Sequence, residues 1–443
     1  MLTYAMEHRG RQSKYAYLAA SIKQDILSGA LKAGTRLPAK RPLAAHLGIS
    51  VVTVEAAYGQ LLDEGYLEAR NRSGFYVNPL CLPTAHPAAE IRSGERSLLA
   101  DASGQSALCS PPAPSASPDA STPVSSASPD ASAPVSSASL DASASVSSVS
   151  LDASASVSSA SLEASAPISS ASLEASAPAA SAHSPAVPPD FPITPFLRIV
   201  RDVLNDYRDQ LLQRPPNAGI PELRMAISDY LKRYRGMKAK PEQIIIGSGS
   251  EYLYGFVAQL FDRQVIYGIE GQSYEKIRLV YSAYARPYEL LPMDRFGVSS
   301  EGLEHSRALV LHVTPFHSYP TGITAPAGKR YEYLAWAKER GAFLVEDDFE
   351  SEFSVQRKPL ETMYAMDQTD SVIYLNTFTR SIAPSMRVGY MVLPERLLPR
   401  YRQKLGFYSC TVPSLDQYVL AEYIAQGHFE KRLNHIRRLQ HQT

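Results

Sequence analysis

The chain has 443 residues, and its 44 Lys and Arg balance its 44 Asp and Glu, so net charge alone indicates neither a nucleic acid nor a membrane as partner. Cys81, Cys109 and Cys410 form an odd set without metal-ligand spacing, which argues against a disulfide framework and a zinc site. No run of about 18 apolar residues exists, and the first residues lack the apolar core of a signal peptide. We therefore expect a soluble cytoplasmic protein of two or three domains.

A stretch rich in Ala, Ser and Pro, residues 81–189, separates two compact regions, residues 1–80 and 190–443. Inside it an eleven-residue unit recurs, with copies beginning at Ser125, Ser136, Ser147, Ser158 and Ser169. An eleven-residue period can indicate a right-handed coiled coil, but each unit offers only one or two apolar side chains larger than Ala. Such a segment buries too little surface to offset the entropy of ordering. We predict a disordered linker with a root-mean-square reach of roughly 50–60 Å.

The first region, residues 1–80, has the pattern of a winged helix-turn-helix. Leu18, Ile22 and Ile26 recur every four residues and give a first helix an apolar stripe that ends near Gly29. We predict a short helix over 41–47, a tight turn over 48–50, a recognition helix over 51–64 and a β-hairpin wing over 65–77. In such a unit the recognition helix lies in the major groove of DNA.

Local charge favours DNA binding by this first region. It holds ten Lys or Arg against six Asp or Glu, which leaves a net charge of +4. Basic side chains at the start of the second helix and at the wing tip stand where phosphates would lie. The candidate DNA contacts are Arg36, Lys40, Arg41, Ser50, Val51, Thr53, Arg70 and Arg72. Each basic residue could also be a solvated surface charge, and Ser50 could serve only as a helix cap.

The second region, residues 190–443, alternates strand-like runs with helical stretches, which is typical of an α/β domain with a largely parallel sheet. The predicted buried strands are Gln243–Ile246, Gln264–Tyr267, Ala308–Val313, Ala342–Glu346, Ser371–Leu375 and Val388–Leu393. The fold class predicted for the whole chain is therefore α/β plus a small α+β domain.

Both regions resemble MocR/GabR-type regulators, a subgroup of the GntR family. Residues 22–44, 47–58 and 64–67 are similar to a GntR-type winged helix. Further motifs follow in the order of the subgroup: GIPELR at 219–224, GSGSE at 247–251, TPFHSYPTG at 314–322, EDDFESEF at 346–353, and VIYLNTFTRSIAP at 372–384 with RVGY at 387–390. The resemblance implies a fold-type-I transferase domain that binds pyridoxal phosphate (PLP) as an effector sensor. It also implies a head-to-tail homodimer on double-stranded operator DNA.

A set of residues at these motifs suits a bound cofactor: Ser248, Gly249, Ser250, Tyr274, Asp347, Thr377 and Arg387. A phosphate needs backbone N–H groups at a helix start, hydroxyls and a guanidinium, which residues 248–250 with Thr377 and Arg387 could supply. A plain strand-to-helix turn and a surface Arg remain alternatives. The resemblance implies that Tyr274 stacks on the cofactor ring and that Asp347 pairs with its pyridine nitrogen. Packing alone, or capping of a turn, could also explain these two residues.

Position 380 carries Arg where the family pattern has the Lys that holds PLP as a Schiff base. A guanidinium stays charged and cannot form that bond, so we predict that covalent PLP attachment and transamination are lost and assign no catalytic residue. Noncovalent PLP stays open, since Arg380 could pair with a phosphate or carboxylate. Phe349 in place of a Tyr and Glu251 in place of a Gln also depart from the pattern. The family continues beyond the position of Thr443 into a small subdomain, so we expect a C-terminally truncated domain.

The sequence leaves three alternative functions. The first is a regulator that senses a small amino compound through PLP. The second is a degenerate regulator whose C-terminal domain serves only dimerisation or binds another ligand. The third, an active aminotransferase with a DNA-binding appendage, conflicts most with Arg380. For either regulator we expect a dimer that protects two half-sites on DNA.

Overall fold

The computed structural model describes residues 2–10, 12–70, 73–80, 191–353, 360–383 and 385–440. The predictions for the linker at 81–189 and for Arg72 lie outside the described residues. Within the described ranges, no helix is both long and apolar enough to cross a bilayer.

The first domain is the predicted winged helix-turn-helix. Its elements are α1 (Lys14–Leu27), α2 (Lys40–Leu47), α3 (Val51–Asp63), β1 (Leu67–Arg70) and β2 (Gly74–Val77). The apolar stripe of α1 is buried against the inner face of α3, which includes Val54 and Tyr58. Gly48 ends α2 in a left-handed conformation with φ of 62°, and the Ser50 side chain accepts a hydrogen bond from the Thr53 N–H. These two residues fix the turn between the helices, as predicted.

The second domain is a doubly covered α/β sheet. In chain order its elements are α4 (Ile193–Asp206), α5 (Arg208–Leu211), α6 (Pro221–Tyr230), β3 (Ile244–Gly247), α7 (Ser250–Leu260), β4 (Tyr267–Glu270), α8 (Glu275–Ala283), β5 (Tyr288–Leu291), β6 (Met293–Asp294), β7 (Gly297–Val298), α9 (Ser300–His305), β8 (Val310–Val313), α10 (Ala327–Arg340), β9 (Phe343–Asp347), α11 (Met363–Met366), β10 (Val372–Thr377), β11 (Gly389–Val392), α12 (Leu398–Lys404), α13 (Ser414–Ala425) and α14 (His428–Gln440). A π-helical turn, Leu231–Arg235, continues α6.

The main sheet has seven strands in the order β3-β11-β10-β9-β8-β4-β5. Strand β11 runs antiparallel to both of its neighbours, and the other pairs are parallel. Helices cover both faces, so β3, β4, β8 and β9 are buried along their whole length. The carboxyl ends of β3, β4, β8, β9 and β10 therefore lie on one edge, which we call the ligand edge.

In the main sheet the structure departs from the predicted strands at β4 and β5. The strand predicted over Gln264–Tyr267 begins only at Tyr267, because the Val265 N–H closes a turn onto the carbonyl of Asp262. Strand β5 was not predicted. It is the edge strand of the sheet, and its side chains are mostly half-exposed and of mixed polarity, so the sequence lacks the continuous apolar run of a buried strand.

The winged-helix domain packs directly on the start of α10. The Ala327 N–H donates to the carbonyl of Glu64 at 3.0 Å. Gly65 has φ of +81°, and a Cβ at this position would come within 2.7 Å of the Pro326 Cβ. Only a residue without a side chain allows this close approach. Apolar residues of both domains consequently belong to one continuous hydrophobic core.

Two cations strengthen this contact. Arg330 of α10 is 1% exposed and donates to the main-chain carbonyls of Glu361 and Glu64. Lys23 of α1 pairs with the Glu361 carboxylate. The contact between the domains thus combines apolar packing with buried hydrogen bonds.

Candidate functional site

The ligand edge brings most of the predicted cofactor residues together. Thr377 at the end of β10 lies opposite Gly389, which lies opposite Gly247 at the end of β3. Asp347 at the end of β9 pairs with Leu375 of β10. Open α/β sheets bind ligands outside the carboxyl ends of their strands, so this edge is the candidate site.

The turn after β3 forms a corner suited to an anion. Gly249 has φ of +99° and is the N-cap of α7, which begins at Ser250. A Cβ on Gly249 would lie 2.7 Å from the Arg387 Nη2, so the guanidinium rests on the glycine backbone. N–H groups at the first turn of a helix next to a guanidinium favour a negative charge.

The side chain of Glu251 already fills this corner. Its Oε2 accepts from the Arg387 Nη2 at 2.8 Å, and its Oε1 accepts from the Lys276 Nζ at 2.7 Å. Partial burial alone would raise the pKa of Glu251, but hydrogen bonds from Lys276, its own backbone N–H and Arg387 together lower that pKa to about 2. The corner therefore holds an ionised carboxylate that belongs to the chain.

Tyr274 lies beside the same corner, at the N-cap position of α8. Its ring meets the ring of Tyr319 edge-on with centroids 6.3 Å apart, and the Lys276 Nζ lies 5.7 Å from the Tyr274 centroid. A half-buried aromatic ring in this position could stack on a flat ligand.

Asp347 is 7% exposed and already has a hydrogen-bond donor. The Tyr254 hydroxyl donates to its Oδ2, and the His312 Nε2 lies 3.6 Å from the same oxygen. Burial and then the charge of Asp347 raise the pKa of Tyr254 well above its usual value, so this hydroxyl keeps its proton. The Nδ1 of His312 meets the Tyr281 hydroxyl at 2.8 Å, which fixes the imidazole beside the carboxylate.

Arg380 points into an internal charge cluster. Its guanidinium pairs with Glu350, which also pairs with His317, and it lies 5.3 Å from the ring centroids of both Phe349 and Phe353. Burial lowers the pKa of Arg380, yet an arginine begins far above neutral pH and stays charged.

Lys404 and Lys276 do not replace the missing amine. Lys404 pairs with Asp262, and Lys358 lies outside the described residues. Hydrogen bonds to Glu251 and Tyr274 raise the pKa of Lys276, which keeps its amine protonated. The residues present therefore do not fit covalently held PLP.

The predicted DNA contacts of the second helix and the wing lie close to one another. Lys40 pairs with Glu55 of α3 at 2.6 Å and lies 5.4 Å from the ring centroid of Phe75 in the wing. Arg70 pairs with Glu68 and stacks over the Tyr76 ring at 4.4 Å. These cations are surface charges held by exposed partners.

The five other described candidates for DNA contact lie at the wing, at the start of α2 and at the start of the recognition helix. Arg36 forms a backbone bridge to Tyr76, and its side chain passes the turn of the wing at Gly74. Arg41 is exposed in the first turn of α2, and Val51 is 40% exposed at the start of α3. Ser50 and Thr53 bond to each other across the cap at 2.8 Å, so capping explains Ser50 without DNA.

Several functional residues escaped prediction from the sequence. Lys276 and Glu350 complete the two charge clusters of the ligand edge, and Tyr254 covers Asp347. The partners of Glu251 lie 25 and 136 residues away along the chain, and no periodicity connects them. The run of acids over 346–352 was visible in the sequence, but it does not reveal which acid meets Arg380.

Comparison with known proteins agrees with this architecture. A model of bacterial regulatory proteins of the gntR family matches residues 14–77, and a model of aminotransferase class I and II matches residues 199–442. The chain is 27% identical over 425 residues to the uncharacterized HTH-type transcriptional regulator YdeL of Bacillus subtilis (strain 168), covering 96% of this chain and 76% of the relative. It is also 27% identical over 425 residues to the probable rhizopine catabolism regulatory protein MocR of Rhizobium meliloti, covering 95% and 74%.

Among solved structures, the chain is similar to a Pyrococcus horikoshii kynurenine aminotransferase determined with PMP, at 26% identity and a TM-score of 0.52. The match covers 56% of this chain and 64% of that one, slightly under two thirds of the enzyme's length. The predicted combination of a winged helix with an aminotransferase-like fold is thereby confirmed.

Proposed function

The chain belongs to the aminotransferase class I and II family and carries a GntR-type domain ahead of it, as MocR-type transcriptional regulators do, and on this premise we propose that it regulates transcription by binding operator DNA in the cytoplasm. One observation carries the proposal: a winged helix, with basic side chains around its recognition helix, packs on an aminotransferase-like domain. Transamination does not require a DNA-binding domain.

The DNA-binding part of the proposal assigns two kinds of contact. Arg36, Lys40, Arg41 and Arg70 meet phosphates, and the exposed start of α3 at Val51 and Thr53 meets base edges or phosphate. Arg72 belongs to the wing by sequence, so we assign it to the residues that contact phosphates as well. A homodimer would present two such units and read two half-sites.

In this proposal the C-terminal domain binds an effector, forms the dimer and is catalytically inactive. Arg380 supports the loss of covalent chemistry because it is charged and paired with Glu350. A small amino compound remains the effector that the resemblance favours. A scaffold without any ligand is the competing function. It is favoured because Arg380 and Arg387, the two arginines of the ligand edge, already pair with carboxylates of the chain.

A titration of the full chain with PLP, followed by absorbance, tests whether the pocket has lost covalent attachment of PLP. Wild type is expected to show no protein-bound aldimine band, whereas Arg380→Lys regains one if the remaining pocket accepts the cofactor. Arg340→Lys, a change in another partly buried arginine that bonds only to main-chain carbonyls of α9 and the segment after it, serves as the control for added lysine reactivity. An aldimine band in wild type that survives dialysis contradicts the proposal.

Footprinting on the chain's own upstream DNA tests the regulator. We expect protection of two half-sites spaced by about one helical turn or a multiple of it, together with a dimer in sedimentation. Retention of DNA that is equal for all sequences at moderate salt, or turnover of an amino acid with a keto acid, would overturn the assignment as a regulator.

A further inference from the structure

The ligand edge presents a mismatch between its shape and its charge. The corner made by Gly249, the start of α7 and Arg387 has the features of a phosphate subsite, yet Glu251 occupies it with a carboxylate. We propose that Glu251 is an internal substitute for a phosphate group, so that this site selects an unphosphorylated ligand over a phosphorylated one. The inference rests on the proposed function, in which the ligand edge binds an effector.

The way in which Glu251 is held supports this role. One carboxylate oxygen bonds to Arg387 at 2.8 Å and the other to Lys276 at 2.7 Å, so a single anion bridges two cations from separate segments. A phosphate would engage these cations in the same manner, through two of its oxygens. The backbone N–H at the helix start adds a third favourable interaction.

An entering phosphate meets two obstacles. It must displace a carboxylate that is ionised throughout the neutral range, and it must do so while its own negative charge is repelled at short distance. The side chain of Glu251 is 29% exposed, so solvent screening weakens this repulsion without removing it. An uncharged hydroxymethyl group at the same position of a ligand would suffer neither penalty.

An ordinary surface ion pair differs from this arrangement in a way that a control can test. Glu275 lies in the first turn of α8 and pairs with Arg278 at 3.0 Å on the same helix. It contributes the same charge close to Lys276 but does not reach the corner. Glu275→Gln therefore reports the effect of net charge alone, and Glu251→Gln reports the effect of charge within the corner.

The test is calorimetric titration of the full chain with pyridoxine 5′-phosphate and with pyridoxine. Both lack the aldehyde, so neither can form imines with surface lysines, and they differ only in the phosphate. For wild type and Glu275→Gln we expect the phosphorylated form to bind no more tightly than the unphosphorylated one. For Glu251→Gln we expect affinity for the phosphorylated form to rise about tenfold, the scale of one charged hydrogen bond, with pyridoxine unchanged.

Each remaining outcome contradicts the inference. Tighter binding of the phosphorylated form to wild type by tenfold or more shows that Glu251 does not close the corner. An equal gain in affinity for both ligands in Glu251→Gln shows that the corner is not a phosphate subsite. The absence of binding of either ligand to Glu251→Gln or to Glu251→Ala shows the same. DNA retention by the same preparations is measured in parallel. If the inference fails but the protein still binds DNA, the proposed function as a regulator stands. If the wild-type protein does not bind DNA, the proposed function fails independently of the inference.

Discussion

In the winged-helix domain, Lys40 and Glu55 form a pair whose side chains are 30% and 59% exposed, whereas in the C-terminal domain Arg235 and Asp348 pair at 1% and 0% exposure. Charges of the first kind exchange a protein partner for a DNA phosphate at little cost, because water screens both states. Charges of the second kind cannot leave their partner without remaining buried and unpaired. The difference separates surface charges that can exchange partners from an interior whose polar groups hold the fold.

The largest expected effect comes from disrupting the buried pair of Arg235 and Asp348. Asp348 Oδ2 accepts from Arg235 at 2.7 Å and from the Tyr374 hydroxyl at 2.7 Å. Asp348→Ala leaves the guanidinium buried without its anion and is expected to lower the free energy of unfolding by about 3–5 kcal/mol. Denaturant unfolding followed by far-UV circular dichroism measures this loss. A stability equal to wild type would show that the pair is replaceable.

The second prediction uses pH to probe another buried carboxyl. Burial raises the pKa of Glu270 to about 8, despite hydrogen bonds from the Thr314 N–H and the Ser318 hydroxyl that lower it. The folded state therefore holds a proton that the unfolded state releases near pH 4.5. The contribution of Glu270 to the free energy of unfolding is therefore fully present below pH 4.5 and is lost as pH rises towards 8, by on the order of 5 kcal/mol.

Glu270→Gln keeps an acceptor oxygen and removes the titrating carboxyl. The melting temperatures of this variant at pH 5, 6.5 and 8 should therefore differ less from one another than those of the wild type do. Glu346, whose pKa burial also raises to about 8, still titrates in this variant, so part of the slope remains. The exposed Glu304→Gln serves as the control. An unchanged pH dependence in Glu270→Gln would contradict the protonated state.

The third prediction concerns the contact between the two regions. Gly65 and Gly34 have similar positive φ angles of +81° and +77°, but only Gly65 faces another segment, with Pro326 Cβ 2.7 Å from an added Cβ. Gly34→Ala therefore reports backbone strain alone. Gly65→Ala should destabilise the chain by about 1–2 kcal/mol more. It should also speed amide exchange at Ala327; equal effects of the two substitutions would exclude a tight contact between the domains.

The smallest expected effect comes from disrupting the exposed pair of Lys40 and Glu55. Glu55→Ala removes the partner of Lys40 and is expected to leave the melting temperature unchanged. Binding of nonspecific duplex DNA should strengthen about threefold at low salt, and the salt slope should steepen by about one phosphate contact. Asp202→Ala, which removes the exposed partner of Arg198 in the C-terminal domain, is the control. A gain in both variants would indicate a net-charge effect without a defined phosphate contact.

Prediction from sequence succeeded where local chemistry decides the structure. The apolar stripe of α1, the left-handed Gly48 and the Ser50 cap act within a few residues, and the winged helix followed from them. The loss of an amine at position 380 is a property of arginine and needed no structure. The pairing of Glu251 with Lys276 and Arg387 could not be predicted, because three distant segments meet only when the sheet assembles. The edge strand β5, which is of mixed polarity, was missed for the same reason, because its pairing with β4 defines it as a strand.

Arg330 has a consequence for how the two domains can diverge in sequence. Its guanidinium donates to the main-chain carbonyls of Glu64 and Glu361, and Ala327 also bonds to the carbonyl of Glu64. Every amino acid offers the same carbonyl, so these two acceptors survive substitution at positions 64 and 361. The donor has no such tolerance, because both hydrogen bonds come from the two terminal nitrogens of one guanidinium. Substitution at positions 64 and 361 should therefore cost only their side-chain pairs with Lys23, whereas substitution at position 330 removes both of its buried hydrogen bonds.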